Sequence, residues 1–323
     1  MSTRVLVAVL ALAGLAVPLA VVAQSYPVKP VRTIQTLGVG GGAEALSHIV
    51  GQRLTEALGQ PVVVEPQGGA GGSIGMNMVA RAAPDGYTLG LGAVSSLVLR
   101  RFLMKNVPYD TLKDFTPVAM VGETISSVVA SPSLGANSLA EVIEYARRNP
   151  GKLAYGSSGI GTTHHLSGVM VEQITGTQML HVPYKGGGQA LQGLLSGQVQ
   201  VVYGIVGSVV PLVKSGKVKL LAINAGKRFV RMPEVPTIGE VIKGYDRPPS
   251  WNGYLGPAGL PPAVTRRLNE EINKIVTRRE VSEKLTDLGF VVDTGTPEEF
   301  SAYIKRSFEL FGKVVKAANI EPE

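Results

Sequence analysis

The chain of 323 residues contains no cysteine. That excludes a disulfide framework, a cysteine nucleophile, an Fe–S cluster and a thiolate zinc site. Histidine is scarce as well, with His48, His164, His165 and His181 making up all 4. His164 and His165 are adjacent, so on a helix they point different ways, and His48 and His181 have no partner at ligand spacing; the sequence calls for no metal. Aromatic residues are only 6%, too few for a platform on which single-stranded nucleic acid stacks. Basic residues exceed acidic ones to give a net charge of +7. They are spread along the chain rather than gathered in a patch, which favours small anionic ligands over nucleic acid.

Long apolar runs are also missing, except at the start. Arg4 supplies a positive charge, 5–23 is unbroken apolar sequence, and Val21-Val22-Ala23 offers a small-residue cleavage site before Gln24. Residues 1–23 therefore read as a secretory signal peptide, and the mature protein is expected to be soluble and exported. A membrane anchor is the alternative, against which Pro18 and the abrupt polar switch at Gln24 argue.

What is abundant is glycine, with 40 residues, roughly 12% against a usual ~7%. The excess is clustered between apolar runs. A strand at 31–37 leads into Gly38-Val39-Gly40-Gly41-Gly42-Ala43 and then a helix closed by Gly59 and Pro61. A strand at 62–64 leads into Gly68-Gly69-Ala70-Gly71-Gly72 and a helix over 73–83. Strands follow at 87–91, 118–121, 127–130, 153–156, 179–182, 199–203 and 218–224, most of them alternating with helices. Ser138 and Glu141 form a capping box for one of these, and Gly156-Ser157-Ser158-Gly159-Ile160-Gly161-Thr162 is a third glycine loop. The C-terminal part reads as helices over 262–277, 280–288 and 297–318. This alternation predicts an α/β fold with mostly parallel sheets flanked by helices. Polar stretches at 122–126 and 244–251 mark two crossings. They divide the chain into a discontinuous first lobe, 24–125 plus 250–323, and an inserted second lobe, 126–249, with a cleft between.

In open α/β sheets, ligands bind beyond the carboxyl ends of the strands, where helix N-termini present free N–H groups. The loops at 38–43 and 156–162 fall on different lobes and point to a small anion held between them. Two sharper motifs compete. Gly38 to Ala43 fits a dinucleotide fingerprint with Glu65 as its ribose acid, although an exported protein has no obvious supply of NAD. Gly71-Gly72-Ser73-Ile74-Gly75 fits a serine nucleophile elbow, but the intervening 66–72 separates Ser73 from its strand, and Ser73 reads instead as a helix N-cap. Trp251 reads equally as core or as a cleft residue.

At several segments the chain resembles the receptors of tripartite tricarboxylate transporters, the TctC-like or Bug family. They are Tyr26-Pro27, Leu58-Gly59-Gln60-Pro61-Val62-Val63-Val64-Glu65, Ala83-Pro84-Asp85-Gly86-Tyr87-Thr88-Leu89, Pro150-Gly151-Lys152-Leu153 with Tyr155-Gly156-Ser157-Ser158-Gly159, and His181-Val182-Pro183-Tyr184-Lys185-Gly186. The resemblance implies a two-lobed periplasmic binding protein, not an enzyme and without cofactor. It would close on a carboxylate-bearing metabolite as a monomer and deliver it to membrane permease subunits. A sensor presenting ligand to a membrane kinase is the other role compatible with the resemblance. Carried over by position, the implied ligand contacts are Gly40, Gly41, Gly42, Glu44, Ser157, Ser158, Gly159, Gly161, Thr162, Tyr184, Gly204 and Trp251. Two of these depart from the family pattern: Glu44 stands for an aspartate, and Gly204 stands where many members carry an acid. Loss of that acid disfavours an amino-bearing ligand and favours a plain carboxylate.

Overall fold

The computed structural model describes residues 26–36, 42–317 and 322. The segment 1–23 and the loop positions Gly40 and Gly41 lie outside them. The described chain begins with β1 (Val31–Gln35), α1 (Gly42–Leu58), β2 (Val62–Pro66), α2 (Ser73–Ala80) and β3 (Thr88–Ala93). A π-helical turn, Ser95–Leu99, runs directly into α3 (Arg100–Leu103), and β4 (Phe115–Thr124) completes this part. A second set follows: β5 (Ser126–Ala130), α4 (Leu139–Arg148), β6 (Ala154–Ser157), α5 (Thr163–Thr175), β7 (Leu180–Pro183), α6 (Gly187–Leu195), β8 (Val201–Ile205), α7 (Val206–Lys214), β9 (Lys219–Asn224) and α8 (Ile238–Val241). The chain returns through β10 (Trp251–Pro257), α9 (Pro262–Thr277), α10 (Arg279–Asp287), β11 (Phe290–Val292) and α11 (Pro297–Ala317).

The strands form two sheets, a six-stranded one in the order β11-β4-β10-β3-β1-β2 and a five-stranded one in the order β7-β6-β8-β5-β9. The α/β, two-lobed architecture is the one the sequence predicts, but the sheets are mixed rather than mostly parallel. β2, β1 and β3 run parallel, as do β7, β6 and β8, whereas β10 is antiparallel to β3 and β4, and β5 is antiparallel to β8 and β9. The reason is the pair of crossings. β4 passes to β5 through Ile125 alone, so β5 enters the smaller sheet directly from the larger one rather than through a helical crossover from a neighbouring strand. β5 and β10 are the first strands after each crossing, and each slots between two strands of its new sheet and runs against both.

β10 is a central strand, buried along its whole length, that the sequence reading leaves unassigned beyond the crossing at 244–251. Its glycines serve packing rather than turning. A Cβ on Gly253 would stand 2.4 Å from the Phe300 ring of α11 and 2.8 Å from the Ala119 carbonyl oxygen. Apolar clusters cover both faces of each sheet: Leu46, Val50, Leu268 and Ile272 on one side of the larger sheet, Met76, Val79, Phe300 and Phe311 on the other. Leu166 of α5 belongs to the latter cluster although its helix flanks the smaller sheet, so the lobes share packed surface. Among the described residues, no helix is long and apolar enough to cross a membrane.

Candidate ligand-binding cleft

A cavity of about 710 Å³ lies between the two sheets, within the size range of metabolite sites. It opens at the carboxyl ends of β1, β3, β6 and β8, where Thr36, Ala93, Ser158 and Gly204 line it, as expected for ligand sites of open α/β sheets.

The wall on the smaller sheet is the loop between β6 and α5. Gly159 and Gly161 adopt φ of 125° and 73°, values that side chains rarely tolerate. Thr162 is the N-cap of α5: its hydroxyl accepts from the His165 amide at 3.3 Å and donates to the Gly159 carbonyl at 2.8 Å. Three histidines support the same loop. Ser157 Oγ shares a hydrogen bond of 2.7 Å with His181 Nε2, and Ser158 Oγ shares one of 2.8 Å with His164 Nδ1. The Gly161 amide donates to His165 Nδ1 at 3.3 Å. His165 and His181 stack at 4.1 Å, and Tyr155 packs on His181 at 4.9 Å. Burial disfavours the charged imidazolium. It pushes His164 and His181 down to about 4, with His165 adding to the shift of His181, and lowers His165 as well. All three are therefore neutral near pH 7.

The opposite wall is built from the Gly69–Gly72 turn and the helical segment after β3. Ala70, Gly71 and Gly72 all have positive φ. A Cβ on Gly72 would meet Ser96 Cβ at 2.8 Å, and one on Gly71 would meet Arg100 Nε at 2.9 Å. Arg100 thus lies across the glycine turn. It is only 7% exposed, its Nε has no hydrogen-bond partner, and it lines the cavity. Burial lowers its affinity for the proton, yet a guanidinium remains charged in proteins. Tyr109 and Thr111 fix the preceding turn by donating to the Ser96 and Leu97 carbonyls. Among the described residues, no aspartate or glutamate lines the cavity; Arg100 and the exposed Lys185 are its charged groups.

Of the positions named from sequence, Ser158, Gly159, Thr162, Tyr184, Gly204 and Trp251 line the cavity. Gly42, Glu44, Ser157 and Gly161 do not. Gly42 opens α1 against the Leu288 carbonyl, Glu44 is half-buried in the first turn of α1, and Ser157 is buried behind the loop. Gly161 faces Leu103, whose Cδ1 would stand 2.9 Å from a Cβ there. Trp251 is both core and cleft: its indole N–H donates to Ser307 Oγ at 2.9 Å and its ring meets Phe300 edge-on, while it lines the cavity. Ser73 is not the cap of α2. That position belongs to Gly72 in a left-handed conformation, and Ser73 Oγ donates to the Ala70 carbonyl at 2.9 Å. Glu65 is occupied elsewhere, in a two-pronged pair with Arg32 at 2.7 Å on each arm. Arg100 was not anticipated, although a signal exists: it interrupts the apolar run Leu97-Val98-Leu99, where a charge needs a reason.

Residues 47–320 match the family model for the tripartite tricarboxylate transporter family receptor, TctC. The chain belongs to this family. Protein BugT of Bordetella pertussis is 33% identical over 310 residues, covering 95% of this chain and 94% of BugT. Among solved structures, R. palustris Rpa4515 with adipate is 30% identical with a TM-score of 0.88, covering 92% of this chain and 100% of the other. MatC from Rhodopseudomonas palustris with bound malate is 28% identical with a TM-score of 0.81, covering 90% and 100%. This TctC protein is thus a solute receptor of the periplasmic binding type rather than an enzyme.

Proposed function

We propose that this TctC receptor binds a small carboxylate in the interlobe cavity and hands it to permease subunits of a tripartite tricarboxylate-type transporter in the periplasm. In this reading residues 1–23 direct export and are removed. The lobes 24–125 plus 250–323 and 126–249 close on the ligand by hinge motion about the two crossings. The observation that carries the proposal is the charge of the cavity: it holds a buried cation and, among the described residues, no acid. The α5 N-terminus adds a partial positive charge. Adipate in Rpa4515 and malate in MatC support the same ligand class. Gly204 leaves the cavity without an acid to meet an ammonium group, so a plain carboxylate is favoured over its amino acid analogue.

The test is a thermal-shift screen of residues 24–323, unfolded and refolded to strip any bound ligand. The panel holds mono-, di- and tricarboxylates, aromatic acids, amino acids and NAD. A ligand at 100 times its Kd adds about 2.7 kcal/mol, a rise of several degrees for a chain of this size. A shift with one carboxylate class supports the proposal. A shift with NAD alone, or with amino acids above their deaminated analogues, overturns the corresponding part of it.

A further inference from the structure

Among the described residues, the half-buried arginines each have an acid: Arg247 pairs with Glu123 beside the second crossing, and Arg53 with Glu56. Arg100 is the exception. Among the described residues it has neither an ion pair nor a side-chain hydrogen bond, and it is 93% buried by the complement of its 7% exposure. A buried, unpaired cation is costly to a folded protein. Evolution tolerates such a cost where a ligand supplies the missing partner.

The two walls also differ in kind. The β6–α5 loop offers the N-terminus of α5, where Thr162, Thr163 and His164 line the cavity, a neutral cradle that suits one carboxylate. Arg100 sits on the other wall, over the Gly69–Gly72 turn, and its planar fork suits a second carboxylate in two-pronged fashion. A cavity of about 710 Å³ has room for a ligand that reaches both walls. We infer that Arg100 anchors a second anionic group, so that the cleft selects a diacid over the same molecule with one acid neutralised. This deepens the carboxylate-receptor reading and rests on it.

The experiment is calorimetric titration of the wild type and Arg100→Gln with straight-chain diacids of four to six carbons, each beside its monoamide, which keeps size and removes one charge. The wild type should prefer the diacid by about ten- to a hundredfold, the worth of a charge-assisted hydrogen bond. Arg100→Gln should lose most of that preference, weakening the diacid far more than the monoamide, and Arg100→Lys should keep part of it. The ligand-free melting temperature gives a second readout. An arginine held for a ligand costs stability, so Arg100→Gln should melt no lower than wild type. The inference is overturned if the wild type binds carboxylates without preferring diacids, if Arg100→Gln weakens diacid and monoamide equally, or if the preference survives in Arg100→Gln. Wild-type protein that binds no carboxylate at all overturns the receptor reading itself, a result visible before any variant is made.

Discussion

The two walls of the cleft are satisfied in opposite ways. On the smaller sheet, Ser157, Ser158, Gly161 and Thr162 each have a partner within their own lobe. On the larger sheet, Arg100 is buried without one. A satisfied network fixes the geometry of its loop in advance, whereas an unpaired cation gains most when a ligand arrives. One wall therefore sets shape and the other sets charge, and each can be perturbed separately.

The largest expected effect is on the satisfied wall and comes from pH. His164 and His181 titrate near 4 in the folded protein against an ordinary 6.5. Between those values the unfolded chain binds more protons, so folding stability rises with pH across the window. The stability is fully present above about pH 6.5 and is lost as pH falls toward 4. For His164, which is fully buried, the loss amounts to about 3 kcal/mol. Denaturant melts of the ligand-free protein at neutral pH and near pH 4 should show it, and His164→Gln should flatten the profile. An unchanged profile in that variant would mean that another group carries the acid sensitivity. Among the described residues, no histidine, aspartate or glutamate lines the Arg100 wall.

A smaller effect is expected where the walls meet. A Cβ on Gly207, in α7, would stand 2.4 Å from both the carbonyl carbon and oxygen of Leu288 on the other lobe. Backbone cannot yield as a side chain tip does, so Gly207→Val should hold the lobes apart. Ligand affinity should fall by about tenfold or more, roughly 1.4 kcal/mol, with a larger radius by small-angle scattering and a lower ligand-free melting temperature, because surface shared between the lobes is lost. Affinity at the wild-type level would show that closure does not need this contact.

Much of this was legible in the sequence, because periodicity and glycine loops are local signals. Most strands, the helix boundaries at Gly59 and Thr162, and the 156–162 loop follow from them. The mixed sheets were not, because the direction of β5 and β10 depends on where each crossing lands rather than on any local pattern. β10 itself was hidden by Gly253, Gly256 and Pro257, which look like a turn until Phe300 is packed against them. In the cleft, sequence position brought out the loop residues but not which way each faces: Ser157 turns inward to His181 and Gly161 turns to Leu103. Arg100 escaped notice because its significance lies in the absence of a partner, which no single stretch of sequence reveals.

The smallest expected effect joins the two walls. Gly204 lines the cavity from β8, and a Cβ there meets only Val202 and Val209 at 3.7 Å, ordinary contact distances. A side chain therefore fits without strain, unlike at Gly207. Gly204→Asp would place an acid on the satisfied wall of a cavity whose buried cation is Arg100. At an effective dielectric near 20 one such charge acting across a site of this breadth is worth about 1 kcal/mol, roughly fivefold in affinity. A diacid should bind about fivefold more weakly, and an amino-bearing analogue should gain ground relative to it. Melting of the ligand-free protein should stay near the wild-type value. Equal affinities in the variant and wild type would place the ligand beyond the reach of β8, and the charge selection would then rest on the Arg100 wall alone.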